Sequence, residues 1–269
     1  MAQNARGFED MVHTVRLGML TPSSNTVLEP VTTAMLSALP EVSAHFSRFK
    51  VTEIALSEQA LGQFDDSEIL RAAELIAHAK VDVIAWNGTS ASWLGFDRDE
   101  RLCERITEAT GIAACTSVLA FREIFEASGV RTVGLVTPYL ADVQARIMAN
   151  WGASGFTCSA ERHYGLQDNF SFAEVTEAEV SGMVRAVARQ GCDAVAVVCT
   201  NMCAAPLAAA LEQELGIPVY DSIATTVWKS LTLAGVETAP LQGWGSLFAG
   251  SVRPHGASRM TRQMFGDNA

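Results

Sequence analysis

The sequence predicts an α/β protein of two pseudo-symmetric lobes, each a parallel sheet flanked by helices, with a cleft between them. Three observations carry this expectation. Short β-branched runs alternate with helical stretches, the rhythm of parallel strands joined by crossover helices. The second half of the chain repeats the order of the first. The punctuation recurs as well: Arg16-Leu-Gly-Met-Leu-Thr-Pro22 is echoed by Thr132-Val-Gly-Leu-Val-Thr-Pro138, glycine to glycine and proline to proline.

Taken in order, Arg16–Leu20 reads as a buried strand closed by the turn-forming run Thr21-Pro22-Ser23-Ser24-Asn25. Helical spacing covers Thr26–Leu39 and stops before Pro40. Ala44–Val51 alternates apolar and polar residues, the period of a strand. Ser67–Ala79 is a helix that Asp66 or Ser67 caps. Val81–Trp86 is the next strand, ended by Asn87-Gly88-Thr89-Ser90. Asp97–Thr110 is a charged amphipathic helix stopped by Gly111, and Ile112–Cys115 is a short strand.

Two further echoes extend the repeat at nearly constant offset. Cys192-Asp-Ala-Val-Ala-Val-Val-Cys-Thr-Asn201 matches Val81-Asp-Val-Ile-Ala-Trp-Asn-Gly-Thr-Ser90, which gives Gly88 and Cys199 equivalent places. Leu215-Gly-Ile-Pro-Val-Tyr-Asp-Ser222 matches Thr110-Gly-Ile-Ala-Ala-Cys-Thr-Ser117. The expected organisation is an N-terminal tail over 1–15, a first lobe over 16–116, a second lobe over 117–222 and a polar tail over 251–269. Residues 223–250 are expected to pack back on the first lobe. Ligands of parallel sheets bind at the carboxyl ends of the strands, so the matched loops form the expected site.

Composition narrows the function. Of 269 residues, 49% are hydrophobic and 18% charged, a core-rich globular balance. Nineteen Lys and Arg against thirty Asp and Glu leave a net charge of −11, which argues against a nucleic-acid partner. The apolar runs fall short of a bilayer span, and the first fifteen residues lack the apolar core of a secretion signal. Six cysteines without framework spacing suggest reduced thiols and a cytoplasmic protein, and no ligand cluster suggests a metal. Neither GxGxxG nor GxxxxGK[ST] follows any strand, so no nucleotide cofactor is expected. That leaves small, unphosphorylated substrates handled without a cofactor.

The residues suggest how. Cys199 ends a strand, and the helix expected near Pro206 would turn its free N–H groups toward it and favour thiolate. The alternative is a buried hydrophobe, the common state of a free cysteine. Cys203 reads as packing. Thr89, Ser90 and Thr200 follow the two matched strand ends, where hydroxyls and backbone N–H groups converge to hold a carboxylate or an enediolate; their alternative is helix capping. Arg48 is either an attractor for a dianion or a surface charge. The five histidines are scattered and do not make a base.

With Thr21-Pro-Ser-Ser-Asn-Thr26, Asp82 through Ser90, Val136-Thr-Pro-Tyr139, Gln167-Asp-Asn169 and Val198-Cys-Thr-Asn201, the chain resembles the aspartate/glutamate racemase superfamily. The likeness spans about Val15 to Val236 and falls in the branch of maleate cis-trans isomerase and arylmalonate decarboxylase. It implies two lobes closing on a small carboxylate, with one cysteine on each lobe in racemases and isomerases. Here Cys199 matches the second cysteine and Gly88 stands where the first would be. Gly88-Thr-Ser90 resembles the decarboxylase loop instead, and the glycine would leave room for a bulky substituent or a departing carboxylate. The resemblance further implies that Tyr139 donates to the substrate carboxylate and that Asn25 and Asn169 fix a carboxylate, with Ser24 assisting.

A racemase removes and returns protons on opposite faces and wants two acid/base groups. A decarboxylase needs one thiol to protonate the enediolate, so this reading comes first. Alternatives are a maleate-isomerase-like enzyme, a racemase-like protein of ectoine utilisation, and a carboxylate-binding module without turnover. Homo-oligomer formation stays open.

Overall fold

The computed structural model describes residues 15–62 and 66–250. The tails assigned to 1–15 and 251–269, with His13 and His255, lie outside them apart from Val15. Among the described residues, eight strands form two four-stranded parallel sheets. In the first, β1 (Val15–Pro22), β2 (Val42–Phe49), β3 (Val83–Trp86) and β4 (Ala113–Thr116) are ordered β2-β1-β3-β4. In the second, β5 (Thr132–Thr137), β6 (Thr157–His163), β7 (Ala194–Val197) and β8 (Val219–Asp221) are ordered β6-β5-β7-β8. The repeat in the sequence is therefore a repeat in topology, as the echoes predict.

The matched residues have matched duties. Asp82 Oδ2 accepts the Arg16 N–H at 2.7 Å, and Asp193 Oδ2 accepts those of Arg131 and Thr132 at 2.9 and 2.7 Å. Each carboxylate pins the start of the neighbouring central strand. A Cβ on Gly18 would lie 2.9 Å from Val81 Cγ2, and one on Gly134 2.9 Å from Val187 Cγ2, so both strands need glycine for close packing.

Ten α-helices among the described residues connect and cover the sheets: α1 (Leu28–Leu36), α2 (Glu58–Gly62), α3 (Asp66–Ala77), α4 (Ala91–Leu94), α5 (Phe96–Thr110), α6 (Ser117–Ser128), α7 (Ala141–Ala153), α8 (Glu177–Ala188), α9 (Ala208–Leu215) and α10 (Ser222–Leu233). The boundaries differ from the sequence reading by a few residues. The largest change is α1, expected over Thr26–Leu39, which starts at Leu28 after a turn at Asn25 and ends three residues early at Leu36. Phe96, Phe121, Phe125, Trp151, Phe156 and Tyr220 form one aromatic cluster drawn from α5, α6, α7, the loop before β6, and β8. Such rings bury large areas with specific geometry and join the two halves of the core. Helix α10 packs on α6, α1, β3 and β4.

Asp221 caps α10 with one oxygen, which accepts the Ile223 and Ala224 N–H groups at 2.7 and 3.1 Å. Its other oxygen is buried without a partner among the described residues. Burial raises this carboxyl from 3.8 to about 7. The folded state therefore holds the proton where the unfolded chain has lost it, and this contribution to stability is lost as pH rises from 4 through 7. Asp221→Asn keeps an acceptor for the cap and is expected to flatten the dependence of Tm on pH between 4 and 8. An unchanged slope would assign the titration to other groups.

Candidate active site

In both sheets the strand order reverses between the two central strands, and ligands of open α/β sheets bind outside the carboxyl ends at such points. The loops there carry nearly every residue singled out from the sequence. Ser24 and Asn25 follow β1, and Gly88, Thr89 and Ser90 follow β3. Tyr139 follows β5, Cys199 and Thr200 follow β7, and Asn169 lies in the loop after β6.

These loops meet one another. Asn25 Nδ2 donates to Thr200 Oγ1 at 3.1 Å, and that hydroxyl donates to the Asn87 carbonyl at 2.9 Å. Thr89 Oγ1 and the Tyr139 hydroxyl are 2.7 Å apart. Asn169 Nδ2 donates to Ser24 Oγ at 2.7 Å, and Ser24 Oγ to the Val51 carbonyl at 2.7 Å. The backbone joins the same loops, with Ile54 N–H bonded to the Gln167 carbonyl and Asn169 N–H to that of Thr52, both at 2.9 Å. Ser90 is buried at the start of α4 but does not cap it with its hydroxyl. Asn25 serves two ends: its Oδ1 accepts the Val27 and Leu28 N–H groups at 3.0 and 2.9 Å, the turn-forming role, while its Nδ2 reaches the second lobe.

Cys199 is buried at the centre. The Tyr139 hydroxyl hydrogen-bonds its sulfur, and the Asn201 N–H donates to it at 3.3 Å. Tyr139 is itself held edge-on between Trp93 and Phe172, at 5.4 and 5.5 Å between ring centroids. Thr89, Tyr139 and Cys199 thus form a continuous hydrogen-bonded line across the two lobes.

The helix expected near Pro206 begins within two residues of it, but the thiolate it was expected to favour at Cys199 does not follow. After β7 the chain runs through a loop and a short 3-10 turn at Ala205–Leu207, and α9 begins at Ala208. The N–H groups at the sulfur are those of Asn201 and Met202, and they do not offset burial, which pushes the thiol from 9.0 up to about 12. The Asp221 carboxyl acts in the same direction. Cys199 is therefore a neutral thiol, suited to give a proton. Cys203 is half-buried against the core, with its thiol also raised by burial.

Gly88 does not open space, contrary to the expectation from its missing side chain. A Cβ there would fall 2.0 Å from Cζ2 of Trp86. The indole takes the room that a bulky substituent was expected to use. Arg48 pairs with Glu29 at 2.7 Å and donates to the Ser23 and Asn25 carbonyls at 2.9 and 3.0 Å, so it braces the first loop as a partly exposed charge.

Asn201, the last residue of the Cys-Thr-Asn run, has a role that the sequence alone does not reveal. Its Oδ1 accepts the Thr26 and Val27 N–H groups at 2.9 and 3.2 Å, and its Nδ2 donates to the Asn169 carbonyl. It ties three site loops together. Among the described residues, no three His, Cys, Asp or Glu side chains are grouped to hold a metal, and no helix is long and apolar enough to cross a membrane.

The arrangement supplies one buried acid and an array of neutral donors, the requirements for protonating a carbanion while stabilising an enediolate. The sequence profile of the arylmalonate decarboxylase family matches residues 18–248. Maleate isomerase of Pseudomonas putida is 27% identical over 253 residues, covering 90% of this chain and all of that protein. Arylmalonate decarboxylase of Bordetella bronchiseptica is 30% identical over 169 residues, 62% of this chain and 70% of that one. A cysteine-to-serine mutant of Nocardia farcinica maleate cis-trans isomerase, solved with a covalently bound succinylcysteine intermediate, superposes with a TM-score of 0.78. It is 26% identical over 87% of this chain and 98% of that one.

Proposed function

The chain belongs to the arylmalonate decarboxylase family, and from that premise we propose that it acts on a small dicarboxylate with Cys199 as its acid group. It is a cofactor-independent carbon-acid enzyme of the Asp/Glu racemase superfamily, with decarboxylation and cis-trans isomerisation as the chemistries its relatives carry. The hydrogen-bonded line Thr89–Tyr139–Cys199 carries the reading. It puts an acid and the donors for a developing oxyanion at one point, where the strand ends of both sheets converge. Asn25, Thr200, Asn169 and Ser24 are paired with one another, and a bound carboxylate would take over those donors.

Between the two reactions, the comparisons favour the isomerase over the decarboxylase that the sequence puts first. The maleate isomerase of P. putida aligns over its whole length, whereas the arylmalonate decarboxylase aligns over 70% of its own. On a cis-enedioate, the Cys199 sulfur would form a bond to one alkene carbon while its proton passes to the adjacent carbon. Rotation about the resulting single bond and reversal of both steps would yield the trans acid and restore the thiol. Decarboxylation remains the second reading because of Gly88, which leaves the first-lobe strand end matching Cys199 without a thiol. There, CO₂ would depart from a malonate, the donors would hold the enediolate, and Cys199 would protonate the carbon from one face.

Maleate and methylmalonate incubated separately in heavy water distinguish the two. Fumarate from maleate supports isomerisation; propionate with one deuterium at Cα supports decarboxylation. Turnover of neither, at enzyme concentrations that would reveal one event per minute, sinks both.

A pH profile follows from the neutral thiol. Any rate that uses the Cys199 proton is expected to persist through pH 9, where a thiol at the ordinary 9.0 would be half ionised, because burial holds this one near 12. Loss of half of kcat near pH 8, with the fold intact by circular dichroism, would mean that a different acid limits the rate.

A further inference from the structure

Gly88 and Cys199 occupy equivalent places, each two residues beyond the last residue of a central strand. On the first lobe that place is filled from behind. The Trp86 indole lies where a side chain at position 88 would begin, with Cζ2, Cε2 and Cη2 at 2.0, 2.3 and 2.6 Å from the ideal Cβ. Trp86 is fully buried and braced by the Phe49 ring, 4.8 Å away between centroids. Among the described residues its Nε1–H has no partner. These distances set the ideal Cβ above the ring face at Cζ2, so the indole lies flat against Gly88, with Nε1 one bond beyond Cε2. The flanking residues of that loop are the ones that touch the second lobe, Asn87 through Thr200 and Thr89 through Tyr139.

A buried N–H without an acceptor is costly, and a substrate oxygen is one remedy. We propose that Trp86 is a specificity-determining residue: its indole walls off the face of the site opposite Cys199 and offers Nε1–H to a carboxylate oxygen. The wall confines the substrate to a small, flat carboxylate or dicarboxylate and excludes an aryl group on the reacting carbon. It also leaves Cys199 alone on the reacting face. This role rests on the proposed function, since a wall matters only if the substrate lies between the two loops.

Two measurements test it, one of which needs no ligand. Gly88→Cys is expected to lower Tm by roughly 2–10 °C through overpacking against the indole. In a Trp86→Leu background the same substitution should cost much less, because its neighbour is gone. Equal costs in both backgrounds would overturn the packing claim. Trp86→Phe serves if the leucine variant does not fold, since a phenyl ring lacks both the N–H and the atoms that abut Gly88.

The second measurement is calorimetric binding of maleate, methylmalonate and phenylmalonate. Wild type should bind the two small acids and refuse phenylmalonate by at least tenfold. Trp86→Leu should bind phenylmalonate at least tenfold better than wild type does, and maleate several-fold worse. Phenylmalonate refused alike by wild type and both variants, with maleate bound by all, overturns the role of Trp86 and leaves the proposed function standing. Phenylmalonate bound by wild type as tightly as maleate overturns it too. Should none of the three acids bind any of the proteins, the proposed function falls and the role of Trp86 falls with it.

Discussion

Cys199→Ser is expected to lower kcat by about 10²–10⁴-fold, the range that a positioned acid contributes. The substitution nearly preserves size, and serine can keep the contacts from the Asn201 N–H and the Tyr139 hydroxyl. What it loses is acidity: a hydroxyl is a far weaker acid than even this buried thiol, whose pKa burial pushes up to about 12. The loss should appear in kcat more than in KM, because the carboxylate contacts reside on other side chains. Cys203→Ser supplies the comparison. That thiol is half-buried, four residues along, and hydrogen-bonds to none of the site loops in the structure, so most of the activity should survive. Equal losses in both variants would point to general damage around β7, and undiminished turnover in Cys199→Ser would remove the acid from this residue altogether.

Much of the fold was legible because the chain states it twice. Gly18 and Gly134 recur for the same steric reason, and Asp82 and Asp193 for the same backbone contacts. Such duplicated constraints are local, which is why they survive in the linear sequence. The strand ends in turn located the loops that meet in space. Contacts between residues far apart in sequence were not legible. The bond from Asn25 to Thr200 and the shared partners of Asn201 depend on how two lobes are set against each other.

Gly88 shows the limit most clearly. A glycine in sequence reads as vacant space, yet the volume belongs to Trp86, two residues earlier on the same side of the strand. The electrostatic state of Cys199 was hidden for a related reason. A helix beginning near Pro206 is legible and points to thiolate, but the enclosure of the sulfur is not, and desolvation decides its protonation.

Tyr139→Phe is expected to cut turnover by about 10²–10³-fold, the usual consequence of losing one donor aimed at a developing oxyanion. The phenyl ring would keep its edge-on contacts with Trp93 and Phe172, so the fold should hold. The missing hydroxyl, however, breaks the line at its middle. Thr89 loses the partner 2.7 Å away, and Cys199 loses the hydroxyl hydrogen-bonded to its sulfur. Because Thr89 and Tyr139 act as a pair, Thr89→Val should cost much less in a Tyr139→Phe background than in wild type. Burial and the thiol both hold the tyrosine well above its ordinary value, so it donates its hydrogen bond without ionising at neutral pH. The residual activity of Tyr139→Phe should accordingly keep the wild-type pH profile up to pH 9. Additive losses in the double variant would separate the two residues, and a wild-type kcat in Tyr139→Phe would move the oxyanion to other donors.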